Sequence, residues 1–348
     1  MNIRFATTKE IDQWDDLLTN NPDGGNVFQS VEVANTKRMG GWKPLYIIHD
    51  ELAITVIEKT VPLLGRYWYA LKGPGVTSYD QLAAVLPELR QFASENGVFA
   101  LKLDPEIIET ETSRSDMEQL GLIRTRDIQA NISTVIVDLS PDLDTVLASL
   151  NQKGRHAIRR AERDGVTARA VEWNEENART MYDLLVSTAA GRFESSVRSY
   201  EYYRAFWQSF VEKDRGSLFF AYFDGKVVAS AFCMYMGQKS TYKDGASVRE
   251  RTAYGASHLL QWEVMKWMKD RGVTSHDLCG VPHSSKVSDP EVSFYGLGRF
   301  KTSFNKTVTD YVGTYDLPVK PTAYRVWQKI GYRVTLSLTY RLKGWQWF

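Results

Sequence analysis

The chain has 348 residues, more than one small domain requires and about right for two of ordinary size. Its 43% hydrophobic and 24% charged residues describe a globular protein and argue against a disordered one. The 43 Lys and Arg nearly cancel the 42 Asp and Glu, so the net charge of +1 argues against nucleic-acid binding over the whole surface and leaves room only for a local basic patch.

The first half alternates helix and strand patterns. Ile11 to Leu18 reads as a short helix, and Gln29 to Arg38 as another that Gly40-Gly41 ends. Lys43 to Ile48 and Leu52 to Glu58 form a predicted antiparallel pair, followed by an aromatic-rich strand from Arg66 to Leu71. Leu82, Val85, Leu86, Leu89, Phe92 and Ala93 share one face of a helix over Tyr79 to Glu95, stopped at Asn96-Gly97. Val98 to Leu103 is the next strand and runs into Asp104-Pro105.

Ser140 to Arg163 follows as a connection, with Pro141, Asp142 and Asp144 opening a helix, a basic stretch after it, and Gly154 weakening the middle. The second half then repeats the order of the first. Helices at Met181 to Ala190 and Tyr200 to Lys213 precede the hairpin strands Leu218 to Phe223 and Lys226 to Met236, joined by Asp224-Gly225. A strand at Ser240 to Asp244, a helix at Ser257 to Arg271 and a buried strand at Val273 to Cys279 complete the repeat. Val308 to Phe348 reads as two strand-like runs around a helix at Pro321 to Ile330, and its length suggests that it returns to complete the first unit. The predicted fold is α+β: two similar units with mixed, largely antiparallel sheets flanked by helices. The expected division is residues 1–139 with 314–348 against 140–313.

Two cysteines, Cys233 and Cys279, cannot staple a chain of this length and point to a reducing compartment. The N-terminal residues carry no signal-peptide pattern, and no segment has the roughly 20 apolar residues of a membrane helix. A soluble cytoplasmic protein is therefore expected. The aromatic residues Trp345, Trp347 and Phe348 suit either a membrane surface or packing on the first unit, and packing is the preferred reading.

Several catalytic machines are absent by spacing: there is no Gly-x-Ser-x-Gly elbow, no Walker loop and no complete dinucleotide loop. His276, Cys279 and His283 lie close in sequence but match no common zinc pattern, and no metal or cofactor is expected. Five features remain. Arg155, Arg159 and Arg163 recur every four residues behind Lys153, a spacing able to track phosphates or simply to face solvent. Asp104 ends a strand, where a carboxylate can accept a proton or hold an amine. Arg192 and Arg198 flank a helix start near Tyr202 and suit a diphosphate. Phe300-Lys301 follows the glycines Gly296 and Gly298, and Tyr242-Lys243-Asp244-Gly245 ends a strand.

Taken together these segments resemble the FemABX family. The resemblance lies in the run from Asn151 to Val166, in Phe28-Gln29-Ser30 with Lys37 and Gly41-Trp42, and in Leu103-Asp104-Pro105. It continues in Arg192-Phe193 with Arg198 and Tyr202, in Asp277-Leu278-Cys279-Gly280-Val281, and in Gly296-Leu297-Gly298-Arg299-Phe300-Lys301. It spans nearly the whole chain in the right order. Cys279 and Asn305 stand where the family usually has glycine.

The resemblance implies two tandem acetyltransferase-like (GNAT-like) units of the compact type, without a coiled-coil arm. It implies a tRNA-dependent aminoacyltransferase of peptidoglycan biosynthesis. Such an enzyme moves an amino acid from aminoacyl-tRNA to the side-chain amine of the third stem-peptide residue, on UDP-MurNAc-pentapeptide or lipid II. Lys37 and Arg198, with Arg192 as a second candidate, would hold the acceptor's diphosphate, and Tyr202 and Tyr242 would line the acceptor cleft. Phe300 and Lys301 would sit by the aminoacyl ester, Asp104 would orient or deprotonate the amine, and Lys153, Arg155, Arg159 and Arg163 would follow tRNA. The expected protein is a cytoplasmic monomer with a peripheral contact at the inner face of the plasma membrane.

Two rivals stand beside this reading. One is an acyl-CoA N-acyltransferase of the same fold, disfavoured because Tyr254-Gly255 leaves only a remnant of the pyrophosphate loop. The other is a non-catalytic module that binds precursor or tRNA.

Overall fold

The computed structural model describes residues 3–190, 197–248, 253–343 and 347–348. The strands are β1 (Ile3–Phe5), β2 (Lys43–His49), β3 (Leu52–Val61), β4 (Gly65–Ala70), β5 (Val98–Leu103), β6 (Ile123–Arg124), β7 (Ser133–Asp138), β8 (Thr167–Val171), β9 (Gly216–Phe223), β10 (Lys226–Met236), β11 (Lys239–Ser247), β12 (Ser275–Gly280), β13 (Thr309–Asp310) and β14 (Tyr315–Pro318). The helices are α1 (Thr8–Asp12), α2 (Trp14–Thr19), α3 (Val31–Lys37), α4 (Tyr79–Glu95), α5 (Ser113–Gln119), α6 (Leu143–Ser149), α7 (Gln152–Arg163), α8 (Glu175–Ala189), α9 (Tyr200–Val211), α10 (Ala256–Lys269), α11 (Tyr295–Lys301), α12 (Pro321–Val326) and α13 (Tyr332–Lys343).

The chain divides into two compact units, Met1–Ile132 with Tyr311–Phe348, and Ser133–Asp310. Each is built on one sheet, in the order β1-β2-β3-β4-β5-β14-β6 in the first and β13-β7-β12-β11-β10-β9-β8 in the second. Both sheets are antiparallel except for one central pair, β4 with β5 and β11 with β12. A helix joins each parallel pair, α4 in the first unit and α10 in the second, because parallel neighbours need a crossover. The apolar face of α4 predicted from spacing is the buried one and packs with Ile54, Trp68 and Leu101. In the second unit Leu259, Leu260, Val264 and Met268 of α10 join the core with Phe219, Ala231 and Leu278.

The boundaries differ from those expected. β7 lies before residue 139 yet pairs with β12, so it belongs to the second sheet, whereas β14 pairs with β5 in the first. The first sheet thus receives β14 from beyond the second unit's sequence, whereas β7 opens the second unit's own continuous stretch. The predicted helix at Ile11 to Leu18 is two short helices, α1 and α2. Thr7 and Glu10 start the first with a reciprocal side-chain cap. The strand expected after Ile330 is helical. Val334, Leu336, Leu338 and Tyr340 alternate like a strand, but α12 continues through a wide turn at Trp327–Gly331 into α13.

Trp347 packs into the first unit, 4.9 Å from the Trp42 ring and 5.4 Å from the Tyr67 ring, and its carbonyl accepts from Trp42 Nε1 at 3.2 Å. It is therefore core and not a membrane anchor. Trp345 lies outside the described residues.

Gly154 has a packing role that composition did not suggest. A Cβ there would lie 2.3 Å from the Ser303 carbonyl oxygen, so α7 approaches the segment after α11 closely only because the side chain is missing. Gly154→Ala gains helix propensity but must push backbone apart, and it should lower stability by about 1–3 kcal/mol, read as a lower urea midpoint at unchanged slope.

Candidate functional site

In the first unit the site is built at the end of the parallel pair. Ala70 on β4 is in register with Leu103 on β5, and the next residues leave the sheet. Asp104 is the first of them and is only 1% exposed. The Tyr69 hydroxyl donates to its Oδ2 at 2.8 Å and the Lys72 N–H donates to its Oδ1 at 2.6 Å. Burial raises the Asp104 pKa to about 6, opposed by the charge of Lys72 and by these two hydrogen bonds. The carboxyl group is thereby poised close to neutrality and close to ionisation. Lys72, also buried and at φ 51°, donates from Nζ to the Asn131 carbonyl at 2.8 Å and lies 3.7 Å from Glu106. Tyr69 and Lys72 were not singled out from the sequence; they reach Asp104 because β4, which carries Tyr69 and ends two residues before Lys72, is the parallel partner of β5.

Lys37 is half-buried at the C-terminal end of α3. The Phe28-Gln29-Ser30 motif places that helix. Ser30 caps it through Val33 N–H, and buried Gln29 exchanges hydrogen bonds with the Thr55 backbone while its Nε2 donates to the Leu71 carbonyl. Gln29 therefore ties the start of α3 to the end of β4, one residue before Lys72. Gly41, at φ 79°, closes the short turn after α3 and delivers Trp42 to the core.

In the second unit the parallel pair again parts early. β11 and β12 remain in register only from Lys239 with Ser275 to Thr241 with Asp277, although both strands continue. The register of β12 against β7 also shifts between Asp277 and Gly280. At this irregularity Asp277 Oδ1 accepts the Cys279 N–H at 2.6 Å and also the Thr134 hydroxyl. Cys279 takes φ 63°, the left-handed region that favours glycine. The bend presents the Gly280 carbonyl to Lys301.

Lys301 ends α11 and is 4% exposed. Its Nζ donates to that carbonyl at 2.9 Å and lies 5.7 Å from the centre of the Tyr242 ring. Burial lowers its pKa, and the neighbouring Cys279 and Asp277 work against that. Tyr242 is itself half-buried, and desolvation first, then Cys233 and Asp244, raise its pKa. It belongs to β11, which runs on to Ser247, so the strand does not end at the Tyr242-Lys243-Asp244 motif.

Phe300 faces elsewhere. With Lys153, Arg299, His156, Tyr254 and His258 it lines a cavity of about 720 Å3 bounded by α7, α11 and the start of α10. The Phe300 ring meets His258 edge-on at 4.9 Å, and burial lowers the His258 pKa to about 4. The cavity thus combines two cations with four rings. Arg299 and His258 were not among the sequence-derived candidates, and only the packing of three helices assembles them.

The basic helix α7 divides. Lys153, Arg159 and Arg163 are exposed. Arg155 instead donates through Nη1 to the carbonyls of Ala148, at 2.8 Å, and Leu150, closing the C-terminal end of α6. Arg163 lies 3.6 Å from Asp164. The expected four-residue stripe is therefore interrupted at Arg155. Gly255, at φ 78°, caps α10, and a Cβ there would lie 2.2 Å from the Ala157 carbonyl oxygen, so α7 lies against the residue that opens α10.

Arg198 precedes α9 and lies 4.8 Å over the Tyr202 ring, so these two sequence candidates meet. Arg192 lies outside the described residues. Trp207 of α9 donates to Asp244 at 3.0 Å, and Lys243 lies 3.1 Å from the same carboxylate, which ties α9 to β11. His276 is buried between Ser240 and Gln261, and His283 sits on an exposed loop beside Ser285, so they face different surroundings.

Comparison with known proteins settles the family. The family model described as FemAB matches residues 7–227 and 220–331. This chain belongs to the FemAB family. A lipid II:glycine glycyltransferase of Staphylococcus saprophyticus is 21% identical, over 95% of this chain and 98% of that protein. The crystal structure of FemX superposes with a TM-score of 0.79 at 19% identity, over 95% of this chain and 100% of that one. The C-terminal domain of a putative lysylphosphatidylglycerol synthetase from Agrobacterium fabrum gives a TM-score of 0.55 at 17% identity, over 96% and 98%. The FemAB member described here therefore has the two-unit α+β architecture, one mixed sheet flanked by helices in each unit, that its sequence implied.

The buried Asp104 carboxyl has a consequence for stability. Its pKa is raised in the fold, so the protonated form is favoured there, and its contribution to stability is full below the unfolded value near 3.8. That contribution falls as pH rises from about 4 to about 6, by about 3 kcal/mol in all. Asp104→Asn should remove this slope, so that urea unfolding from pH 4 to 7 shows the wild type losing stability relative to the variant over that window.

Proposed function

We propose that this FemAB protein is an aminoacyltransferase that moves an amino acid from aminoacyl-tRNA to the side-chain amine of the third residue of a peptidoglycan-precursor stem peptide. The relatives named as lipid II:glycine glycyltransferases over nearly their full length support this reading. The observation that carries it within the chain is the pair of buried ionisable groups held by backbone at the ends of β5 and β12: Asp104 on the Lys72 N–H, and Lys301 on the Gly280 carbonyl. Either UDP-MurNAc-pentapeptide or lipid II supplies the acceptor.

The reaction is aminolysis of an ester. The amine nitrogen bonds to the ester carbonyl carbon, the bond from that carbon to the ribose oxygen breaks, and the amine proton ends on the released ribose hydroxyl. The ester is already activated, so the protein's tasks are to present a neutral amine, align the reactants and stabilise the oxyanion. Asp104, with a pKa of about 6, accepts the amine proton at neutral pH. Lys301 donates to the developing oxyanion from a low-dielectric position, where such a donor is worth most. Arg198 holds the acceptor diphosphate, Arg192 assists, and Tyr202 and Tyr242 line the acceptor side.

The aromatic and cationic cavity at Phe300 suits the esterified RNA end, with a base on the rings and phosphate on Lys153 and Arg299. Exposed Arg159 and Arg163 extend that charge along α7. An acyl-CoA enzyme of the same fold fits less well, because Tyr254-Gly255 leaves only a remnant of the pyrophosphate loop.

The test is transfer from a pool of charged tRNAs to each acceptor, with products weighed. Lys301→Met should cut the transfer rate by about a hundredfold or more while acceptor binding survives. Arg198→Ala should raise the acceptor KM by about tenfold or more, with a smaller change in kcat. The wild-type rate should climb through an apparent pKa near 6, and Asp104→Asn should be slow and lack that limb. A wild-type rate in Lys301→Met, or no transfer by the wild type to either acceptor, would remove the proposal.

A further inference from the structure

The helical end of the first unit carries a surface that the transfer reaction does not use. α12, the wide turn and α13 form one continuous helical segment from Pro321 to Lys343. Its inner side is anchored. Tyr324 and Trp327 are each 2% exposed, Tyr324 donates to Asp316 at 3.1 Å, and the Trp327 ring lies 5.3 Å from Tyr67 and 5.7 Å from Phe99.

The outer side repeats a two-residue pattern every four positions: Arg325-Val326, Lys329-Ile330, Arg333-Val334, Ser337-Leu338 and Arg341-Leu342. All ten are exposed, and the five apolar members stand between 46% and 79% exposed. A four-residue repeat drifts slowly around an α-helix of 3.6 residues per turn, and the wide turn at Trp327–Gly331 works against that drift. The result is an apolar ridge beside a cationic ridge along one helix.

Two further observations say what covers it. From Leu317 to Phe348 the sequence has six Lys or Arg and no Asp or Glu, in a chain whose overall charge is near zero. The tip of the β3–β4 hairpin also reaches this segment: Leu64 lies 3.4 Å from the position of a Cβ on Gly331, and its neighbour Leu63 is fully exposed at φ 65°. A protein partner would bury such apolar residues against its own and would answer the cations with local acids. An RNA would answer the cations and leave the apolar row in water. A bilayer with anionic headgroups answers both at once, with the apolar row at the acyl boundary and the cations at the phosphates.

We propose that the outer face of Pro321–Lys343, with Leu63 beside it, is a docking surface for an anionic lipid bilayer. It replaces the aromatic C-terminus as the membrane-facing element, since Trp347 is used in the core. The proposal does not rest on the transferase reading. If that reading holds, the surface would bring the enzyme to lipid-linked acceptor.

The test is sedimentation of the purified full chain with vesicles of phosphatidylcholine alone or with about one third phosphatidylglycerol. The wild type should pellet with the anionic vesicles, be released by high salt, and stay in solution with phosphatidylcholine alone. Arg325→Gln, Lys329→Gln and Arg333→Gln combined should weaken binding about a hundredfold, at about fivefold per cation. Val334→Gln with Leu338→Gln should weaken it about tenfold or more. All five positions are exposed, so circular dichroism and melting should be unchanged. Transfer to the soluble acceptor should also be unchanged, which separates failure here from failure of the transferase reading. The proposal is overturned if the wild type stays in solution with anionic vesicles, or if either combined variant binds like the wild type. It is equally overturned if light scattering shows a dimer that Val334→Gln with Leu338→Gln dissolves, or if the cationic face retains tRNA and not vesicles.

Discussion

Two strands that run parallel in an otherwise antiparallel sheet stop pairing at their C-terminal ends, and the backbone groups that the gap exposes can hydrogen-bond a charged group placed there. This constraint organises both units. In the first, β4 and β5 part after Ala70 and Leu103, and the Asp104 carboxylate takes up the Lys72 N–H. In the second, β11 and β12 part after Thr241 and Asp277, and the Lys301 ammonium takes up the Gly280 carbonyl. The polarity is complementary, a buried anion on a donor in one unit and a buried cation on an acceptor in the other. Burial then shifts each group toward its neutral form, raising the pKa of the acid and lowering that of the amine.

Small residues decide where helices come close enough to build the rest of the second unit's site. Gly154 lets α7 lie on the Ser303 backbone, and Gly255 lets the start of α10 lie on the Ala157 carbonyl. These two contacts bring α7, α10 and α11 together around the Phe300 cavity, so the cavity depends on two absent side chains as much as on its lining. Cys279 shows the opposite choice. It holds a left-handed conformation, which favours glycine, with a side chain present, supported by the Asp277 carboxylate on its N–H.

Much of the fold was legible in the sequence. α4, β5 and β10 were delimited by long periodic segments between clear stop signals, and the repeated element order disclosed two similar units. The motif residues were legible as a set because they keep their order along the chain, and Asp104, Arg198, Tyr202, Tyr242, Phe300 and Lys301 stood out in this way. Their surroundings were not. Lys72 and Tyr69 reach Asp104 across a parallel pairing that no local pattern reports. Arg155 shares the spacing of Arg159 and Arg163, yet its guanidinium turns back onto the end of α6, because a free carbonyl lay within reach of its side chain. Tyr332 to Leu342 alternates like a strand, but the neighbouring helix carries it on as helix.

By itself, the sequence determined the two-unit α+β plan, the family and the chemical types at the candidate positions, since periodicity, turn residues and ordered motifs are properties of neighbours along the chain. The tertiary structure alone decided which strand completes which sheet and which cation serves the fold. It also decided that Trp347 is core while the helix before it turns an apolar and cationic face outward. Those outcomes depend on non-local hydrogen bonds and on which side of an element meets the core, and a one-dimensional pattern carries neither.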